Sequence, residues 1–120
     1  TMAQTLTCAA FISNATRGTF AGSRGFSVTT TGDGAAYEAI SIGTSEVEWT
    51  LATGIGNAGV MVIKNTDATN YVQVGFATTV YALRIKPGQA ALLPLEPATA
   101  SIFLKANTAA CVVEILVSEA

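Results

Sequence analysis

The residues best suited to chemistry in this chain are two glutamates placed two positions apart, Glu46 and Glu48. In an extended strand such a pair lies on one face, about 7 Å apart. Paired carboxylates can serve glycoside hydrolysis or hold a calcium ion. A solvated sheet face carries the same pattern without any chemistry, and we favour that interpretation. A small hydrolase that uses Glu46 and Glu48 stays as an alternative hypothesis.

The chain has no histidine, which removes the commonest general base and the commonest metal ligand of proteins. Its two cysteines are too few for the four Cys or His ligands of a structural zinc site. Neither thiol has a histidine partner that would lower its pKa. We therefore predict no catalytic residues, no metal site and no cofactor, and we expect the chain not to be an enzyme.

The two cysteines, Cys8 and Cys111, lie in apolar segments near opposite ends of the chain. Free buried cysteines behave as small hydrophobic residues, and this is the interpretation that we prefer. A disulfide between them is the alternative, which requires the first and last strands to be neighbours with suitable geometry.

One glycine-rich segment, Gly54-Ile55-Gly56-Asn57-Ala58-Gly59, matches the dinucleotide-binding fingerprint letter for letter. That fingerprint holds a pyrophosphate only where it opens a helix. The segment is followed by Val60-Met61-Val62-Ile63, which is typical of a strand. We therefore predict a glycine-rich loop between two strands.

The elements that must position these residues repeat with a period of two. Val47, Trp49 and Leu51 share one face of their segment, opposite the two glutamates. Such alternation indicates half-buried strands of antiparallel sheets. It recurs at residues 71–76, where Val72, Val74 and Phe76 are predicted to share a face, and at residues 83–86. Further strands are predicted at residues 5–12, 25–30, 37–42, 60–64, 89–93, 101–105 and 110–117.

Turn-forming residues separate these runs, among them Gly32-Asp33-Gly34, Asn65-Thr66-Asp67 and Pro87-Gly88. Asp33 and Asp67 are accordingly predicted to be turn residues and not ligands of an ion. Many short strands at regular spacing, with little or no helix, are typical of a sandwich or a barrel. We predict one all-β domain over residues 1–120, a two-sheet antiparallel sandwich or jelly roll.

The last strand is apolar on both faces, with Val112 and Leu116 opposite the set that begins at Cys111. Such a strand is covered on both sides, either by a neighbouring subunit or as a central strand within its own domain. The apolar pair Leu92 and Leu93 gives the same indication. An apolar edge left bare would be an aggregation hazard. Val112, Leu116, Leu92 and Leu93 are therefore the candidate residues of a self-association interface.

The aromatic residues divide into an anchor and two contact candidates. Trp49 has apolar neighbours on its own face and is predicted to lie in the core. Tyr71 and Tyr81 are the candidates for exposed contact aromatics, although a core or interface position accounts for them as well.

The composition points in the same direction as the last strand. Half of the 120 residues are apolar and only 12% are charged, against about 25% in an average domain. Burial against another protein would account for this surface, and so would solvation by Thr, Ser, Asn and Gln. The six scattered Lys and Arg, with a net charge of -2, form no basic stripe for nucleic acid. No apolar run reaches the length of about 18 residues that spans a bilayer.

The second half of the chain, Gly59 to Glu119, has three features of turns and strands: an Asn/Asp-rich turn that leads into Tyr71-Val72-Gln73-Val74-Gly75, the Lys86-Pro87-Gly88 turn before an apolar strand, and the Ala106-Asn107-Thr108 turn before the closing strand. With these features it resembles small virion structural proteins of tailed bacteriophages. Proteins of this appearance include capsid decoration (cement) proteins and tail components.

The resemblance implies a virion protein made in the cytoplasm of a host bacterium and placed most readily on the capsid surface. Its expected partners are further copies of itself, often as a homotrimer, and the major capsid protein or another virion protein. Nucleic acid and membranes are not expected partners, and no catalytic residues come with the resemblance. A tail or receptor-binding module that recognises a host glycan is the alternative.

Overall fold

The alternating segments form ten β-strands in the computed structural model, which describes residues 5–13, 21–30, 32, 34–51 and 55–120. No helix occurs within these ranges, so none is present that could cross a membrane. The strands are β1 (Thr5–Ser13), β2 (Ala21–Thr29), β3 (Ala35–Ile42), β4 (Val47–Thr50), β5 (Ala58–Asn65), β6 (Val72–Gly75), β7 (Leu83–Ile85), β8 (Ala90–Pro94), β9 (Ser101–Ala106) and β10 (Cys111–Glu119).

Eight of these strands form two four-stranded antiparallel sheets that pack together as a sandwich. The first sheet has the order β3-β10-β5-β8 and the second the order β4-β9-β6-β7. This strand order is that of an eight-stranded jelly roll, in which the chain repeatedly crosses from one sheet to the other. The predicted all-β sandwich is therefore confirmed, and every predicted strand is present within a few residues of its expected bounds.

The core lies between the two sheets and is built from one face of each. The register places Val113 opposite Asn65, Ile115 opposite Ile63 and Val117 opposite Met61, and all six residues are buried. From the second sheet, Trp49 enters the core as predicted, and its Nε1 donates a hydrogen bond of 3.0 Å to Glu38 Oε2. The inner face of β10 is fully covered within this chain, because Cys111, Val113, Ile115 and Val117 are all buried in the core between the two sheets.

The buried polar residue Asn65 organises the connection from β5 to β6. Its Nδ2 donates to the carbonyl oxygens of Asn70 and Ile85, and its Oδ1 accepts from the backbone N–H of Asp67. Asp67 Oδ2 in turn accepts the N–H groups of Thr69 and Asn70, and these bonds lower the pKa of Asp67. Asp67 is therefore a turn residue, as predicted, whereas Asp33 lies outside the described residues.

The remaining two strands form a separate hairpin, which we call the arm (β1 and β2). They pair antiparallel over their full length, from Thr5 opposite Thr29 to Ser13 opposite Ala21. The radius of gyration of 15.3 Å exceeds the roughly 13.6 Å that a domain of this length would have. The arm therefore adds an extension to the sandwich and does not join either of its sheets.

The structure corrects one face assignment made from the sequence. Val72 and Val74 are buried as expected, but Phe76 is 49% exposed. The strand ends at Gly75, and the chain then turns through a β-bridge between Ala77 and Val80. Alternation therefore stops one residue before Phe76, which no longer shares a face with the two valines.

Candidate functional site

The most prominent surface feature is an apolar row that crosses the outer face of the first sheet. The register aligns Tyr37 with Leu116, Leu116 with Val62 and Val62 with Leu92. One side chain from each of the four strands thus stands in a single line. Tyr37 is 61% exposed and Leu116 is 50% exposed. Burying large apolar side chains is favourable in proportion to area, so this row is a candidate contact surface.

A mixed-charge row lies beside the apolar row on the same face. It aligns Glu114 with Lys64 in neighbouring strands, with Ala39 and Ala90 at its ends. The Tyr37 hydroxyl donates a hydrogen bond to Glu114 Oε2, which raises the pKa of Tyr37. The bond holds the most exposed member of the apolar row to its neighbour, so the ring stands in a defined position.

The outer face of the second sheet has a different character. Polar and charged residues dominate it, including Glu48 on β4, Lys105 on β9, and Gln73 and Arg84 on β6 and β7. The register places Gln73 opposite both Lys105 and Arg84. One outer face of the sandwich is therefore suited to water and the other to an apolar partner.

An apolar cleft of about 720 Å³ lies between the arm and the apolar row. We call this space the apolar cleft. Leu6 and Ala9 of the arm form one of its walls. The opposite wall consists of Val62, Leu92 and Leu116. None of the described residues that line the cleft is charged. Protein interiors close to crystal-like density, so a gap of this size is a site where another molecule can be accommodated.

The candidate interface residues divide between the two faces of the first sheet. Val112 is 48% exposed on the outer face, where Leu116 and Leu92 also lie. Leu93 instead points inward and packs against the hydrophobic core. Adjacent residues of a strand face opposite sides, so Leu92 and Leu93 cannot share an outer surface. The proposed contact surface therefore contains Val112, Leu116 and Leu92, without Leu93.

The two candidate contact tyrosines are both half-buried and held by other side chains. The Tyr71 ring lies beneath the Arg84 guanidinium, with 4.2 Å from the Arg84 Cζ to the ring centroid. The Tyr81 hydroxyl donates to Glu46 Oε1. The Arg84 guanidinium therefore covers one face of the Tyr71 ring, whereas the Tyr81 bond involves only the hydroxyl group.

The glutamate pair has separate partners. Glu46 accepts from the Tyr81 hydroxyl and from the Thr79 backbone N–H, while Glu48 accepts from the Ser101 hydroxyl. The Tyr81 bond, followed by the Thr79 bond, lowers the pKa of Glu46, and the Glu46 carboxylate raises the pKa of Tyr81 to about 12. Glu46 thus acts as a brace for the chain segment after β6, which gives no support to the hydrolase hypothesis.

The segment after β6, residues 76–80, carries two exposed apolar side chains that the sequence did not indicate as contact candidates. We call it the Phe76 turn. Phe76 is 49% exposed and Val80 is 61% exposed. The one available signal was Gly75, since a glycine at the end of an alternating run indicates that the strand stops. Tyr37 was missed for a different reason: both alternating sets of residues 35–42 contain apolar side chains.

The remaining candidate sites have structural roles. Ala58, within the glycine-rich segment, begins β5, so a strand and not a helix follows as predicted. Gly54 lies outside the described residues.

Cys8 and Cys111 are both free; Cys111 is buried and Cys8 is half-buried. No cluster of three or more Cys, Asp or Glu residues suited to a metal ion occurs in the described part of the chain.

Comparison with known protein families, with curated proteins and with solved structures gave no match to this chain.

Proposed function

We propose that this chain is a non-enzymatic structural protein that acts by protein–protein contact, and that its setting is a virion. The observation that carries the proposal is the contrast between the two outer faces of the sandwich. The face with the apolar row exposes Tyr37, Val112 and Leu116, whereas the opposite face is mainly polar, with Phe103 half-buried among its polar residues. A contiguous apolar surface on a small domain marks an interaction site.

The apolar row supports self-association in particular. Its members come from four adjacent strands, so they form a rigid patch that needs no ordering on contact, which lowers the entropic cost of association. The neighbouring Glu114 and Lys64 offer one charge of each sign. A second copy could satisfy both charges, and charge complementarity of this kind fixes the register of an interface. The proposed assembly is a homotrimer.

The virion setting rests on the resemblance of residues 59–119 to small structural proteins of tailed bacteriophages. Within that setting we propose a capsid decoration (cement) role, in which the oligomer stabilises the phage head through the major capsid protein or another virion protein. A jelly roll alone does not define this role, because one fold hosts many functions. The alternative of a tail or receptor-binding module for a host glycan stays a prediction.

The proposed location is tested by imaging virions that carry this protein. We expect additional density on the outer shell of the head, repeated over the capsid lattice and large enough for three sandwiches. Virions that lack the protein should lose this density and should release their genome at a lower temperature. Density confined to the tail, or heads of unchanged thermal stability, would contradict the decoration role.

A further inference from the structure

Two features of this chain are both apolar and belong to different sheets of the sandwich. The apolar cleft is a concave site on the first sheet whose described lining residues carry no charge. The Phe76 turn is a convex apolar site beside the second sheet, because it follows β6 of that sheet directly. None of residues 76–80 is among those that line the cleft, so the two features do not meet within one copy.

The Phe76 turn is held rigidly in place. A Cβ atom at Gly75 would lie 1.8 Å from the carbonyl oxygen of Val80, so the turn packs directly against the strand backbone. Thr79 adopts a φ of 59°, which is uncommon for a residue with a side chain. Its N–H donates a 2.7 Å bond to Glu46 Oε1. The exposed Phe76 and Val80 side chains are thus presented on a fixed support.

The cleft has the size and the lining to receive them. A cavity of roughly 150 Å³ admits a benzene ring, and the cleft measures about 720 Å³. Its walls are mainly aliphatic, with Leu6 on one side and Val62 and Leu116 on the other. An aromatic side chain that fills an apolar pocket is a typical anchor of a protein interface.

We propose that the Phe76 turn of one copy inserts into the apolar cleft of a second copy. This inference rests on the self-association in the proposed function and names the two surfaces that meet. The contact is head-to-tail, since it joins different surfaces of identical chains. Such contacts build a ring when the rotation between copies closes and an open filament when it does not.

The test mixes two variants that each lack one half of the contact. Phe76→Ser/Val80→Ser removes the inserted side chains, and Leu116→Asp places a charge in the cleft wall. Each variant alone should associate about thirty-fold more weakly than the unmodified protein, as expected for loss of an interface anchor. An equimolar mixture should form a one-to-one heterodimer, because each variant retains the half that the other lacks.

Matched controls separate loss of contact from loss of fold. Thr78→Ser lies in the same turn, and Thr50→Asp places the same charge as Leu116→Asp at an exposed position of β4 in the second sheet. Both variants should associate as the unmodified protein does. Each variant is checked by circular dichroism and thermal melting, and Leu92→Asp replaces Leu116→Asp if the latter fails to fold.

The outcomes distinguish this inference from the proposed function. If the turn variant keeps full association while Leu116→Asp loses it, the insertion is wrong and self-association through the sheet face stands. If both variants are monomers and their mixture stays monomeric, the insertion is equally wrong. If the unmodified protein is itself a monomer, both the insertion and the proposed self-association are wrong.

Discussion

At the scale of single residues, Gly75 fixes the path of the chain after β6. Only a residue without a side chain tolerates the approach of the Val80 carbonyl. We expect Gly75→Ala to lower the free energy of unfolding by about 1–3 kcal/mol, as for other overpacked sites. Gly43→Ala is the matched control, because no atom lies within 4 Å of a Cβ built at that position. Chemical denaturation measures both, and equal effects would contradict the close approach.

The bond between Tyr81 and Glu46 gives a second prediction at this scale. Glu46→Gln removes the carboxylate that raises the pKa of Tyr81 to about 12, so that pKa should return toward the ordinary value of about 10. The change is read from the absorbance of tyrosinate during an alkaline titration. Glu48→Gln should leave the titration unchanged, since Glu48 pairs with Ser101.

The pKa shifts of Tyr81 and Glu46 also set the pH range in which the hydrogen bond between these two side chains is formed. The pKa of Tyr81 is raised, so its contribution is fully present below pH 10 or so and is lost as the pH rises through about 12. The pKa of Glu46 is lowered, so its contribution is present above the ordinary glutamate value and is lost as the pH falls through the lowered one. The hydrogen bond between Tyr81 and Glu46 is therefore formed throughout the neutral pH range.

At the scale of elements, the end of β10 connects three parts of the chain. The Glu119 carboxylate accepts from the backbone N–H of Gly34 at 2.8 Å and from that of Gly56 at 3.3 Å. Its own N–H donates to the Gly34 carbonyl. A Cβ at Gly32 would lie 2.4 Å from the Glu119 carboxyl carbon. Glu119 thus ties the segment that leads from the arm, and the loop before β5, to the first sheet.

We expect Glu119→Ala to lower the free energy of unfolding by about 1–3 kcal/mol, because it leaves two backbone donors without their charged acceptor. Hydrogen exchange should accelerate at the Gly34 and Gly56 amides before it does so in the core strands. Glu96→Ala, at an exposed position, is the control and should change neither quantity. Unaltered exchange in Glu119→Ala would show that the carboxylate does not hold these segments.

The reaction rates of the two cysteines measure the accessibility of two different parts of the chain, the arm for Cys8 and the first sheet for Cys111. Burial raises the pKa of Cys111, and the thiolate is the reactive form. Cys8 lies half-buried in β1. We expect a thiol reagent to modify Cys8 on the order of tenfold faster than Cys111. Cys8→Ser should abolish the fast phase alone, and equal rates for the two thiols would contradict the buried position of Cys111.

Local patterns were sufficient to predict most elements but not how they meet. Alternation around Trp49 gave both the strand and its buried face, because the side-chain period in a strand is a local property. The register that aligns Tyr37 with Leu116 depends on strands 79 positions apart, and nothing near either residue encodes it. The bond from Glu119 to Gly34 spans 85 positions and was missed for the same reason.

At the scale of the whole molecule, the fold accounts for the apolar residues on one face of β10 but not for those on the other face. The inner face of β10 is buried within the chain, which was one of the two interpretations left open. Its outer residues Val112 and Leu116 remain 48% and 50% exposed. On that face the other interpretation, coverage by a neighbouring subunit, stays a prediction. Neither the cleft nor the arm that closes it could be predicted, because both arise from contacts between distant segments.

The central claim is that this outer face mediates self-association, and sedimentation analysis of the unmodified protein tests it most directly. At concentrations up to about 100 µM, where even a weak specific contact is populated, we predict a species with close to three times the chain mass of 12.3 kDa. Leu116→Asp should shift it to the monomer, while Thr50→Asp, at an exposed position of the second sheet, should not. A monomer at every concentration, or an oligomer insensitive to Leu116→Asp, would contradict the account.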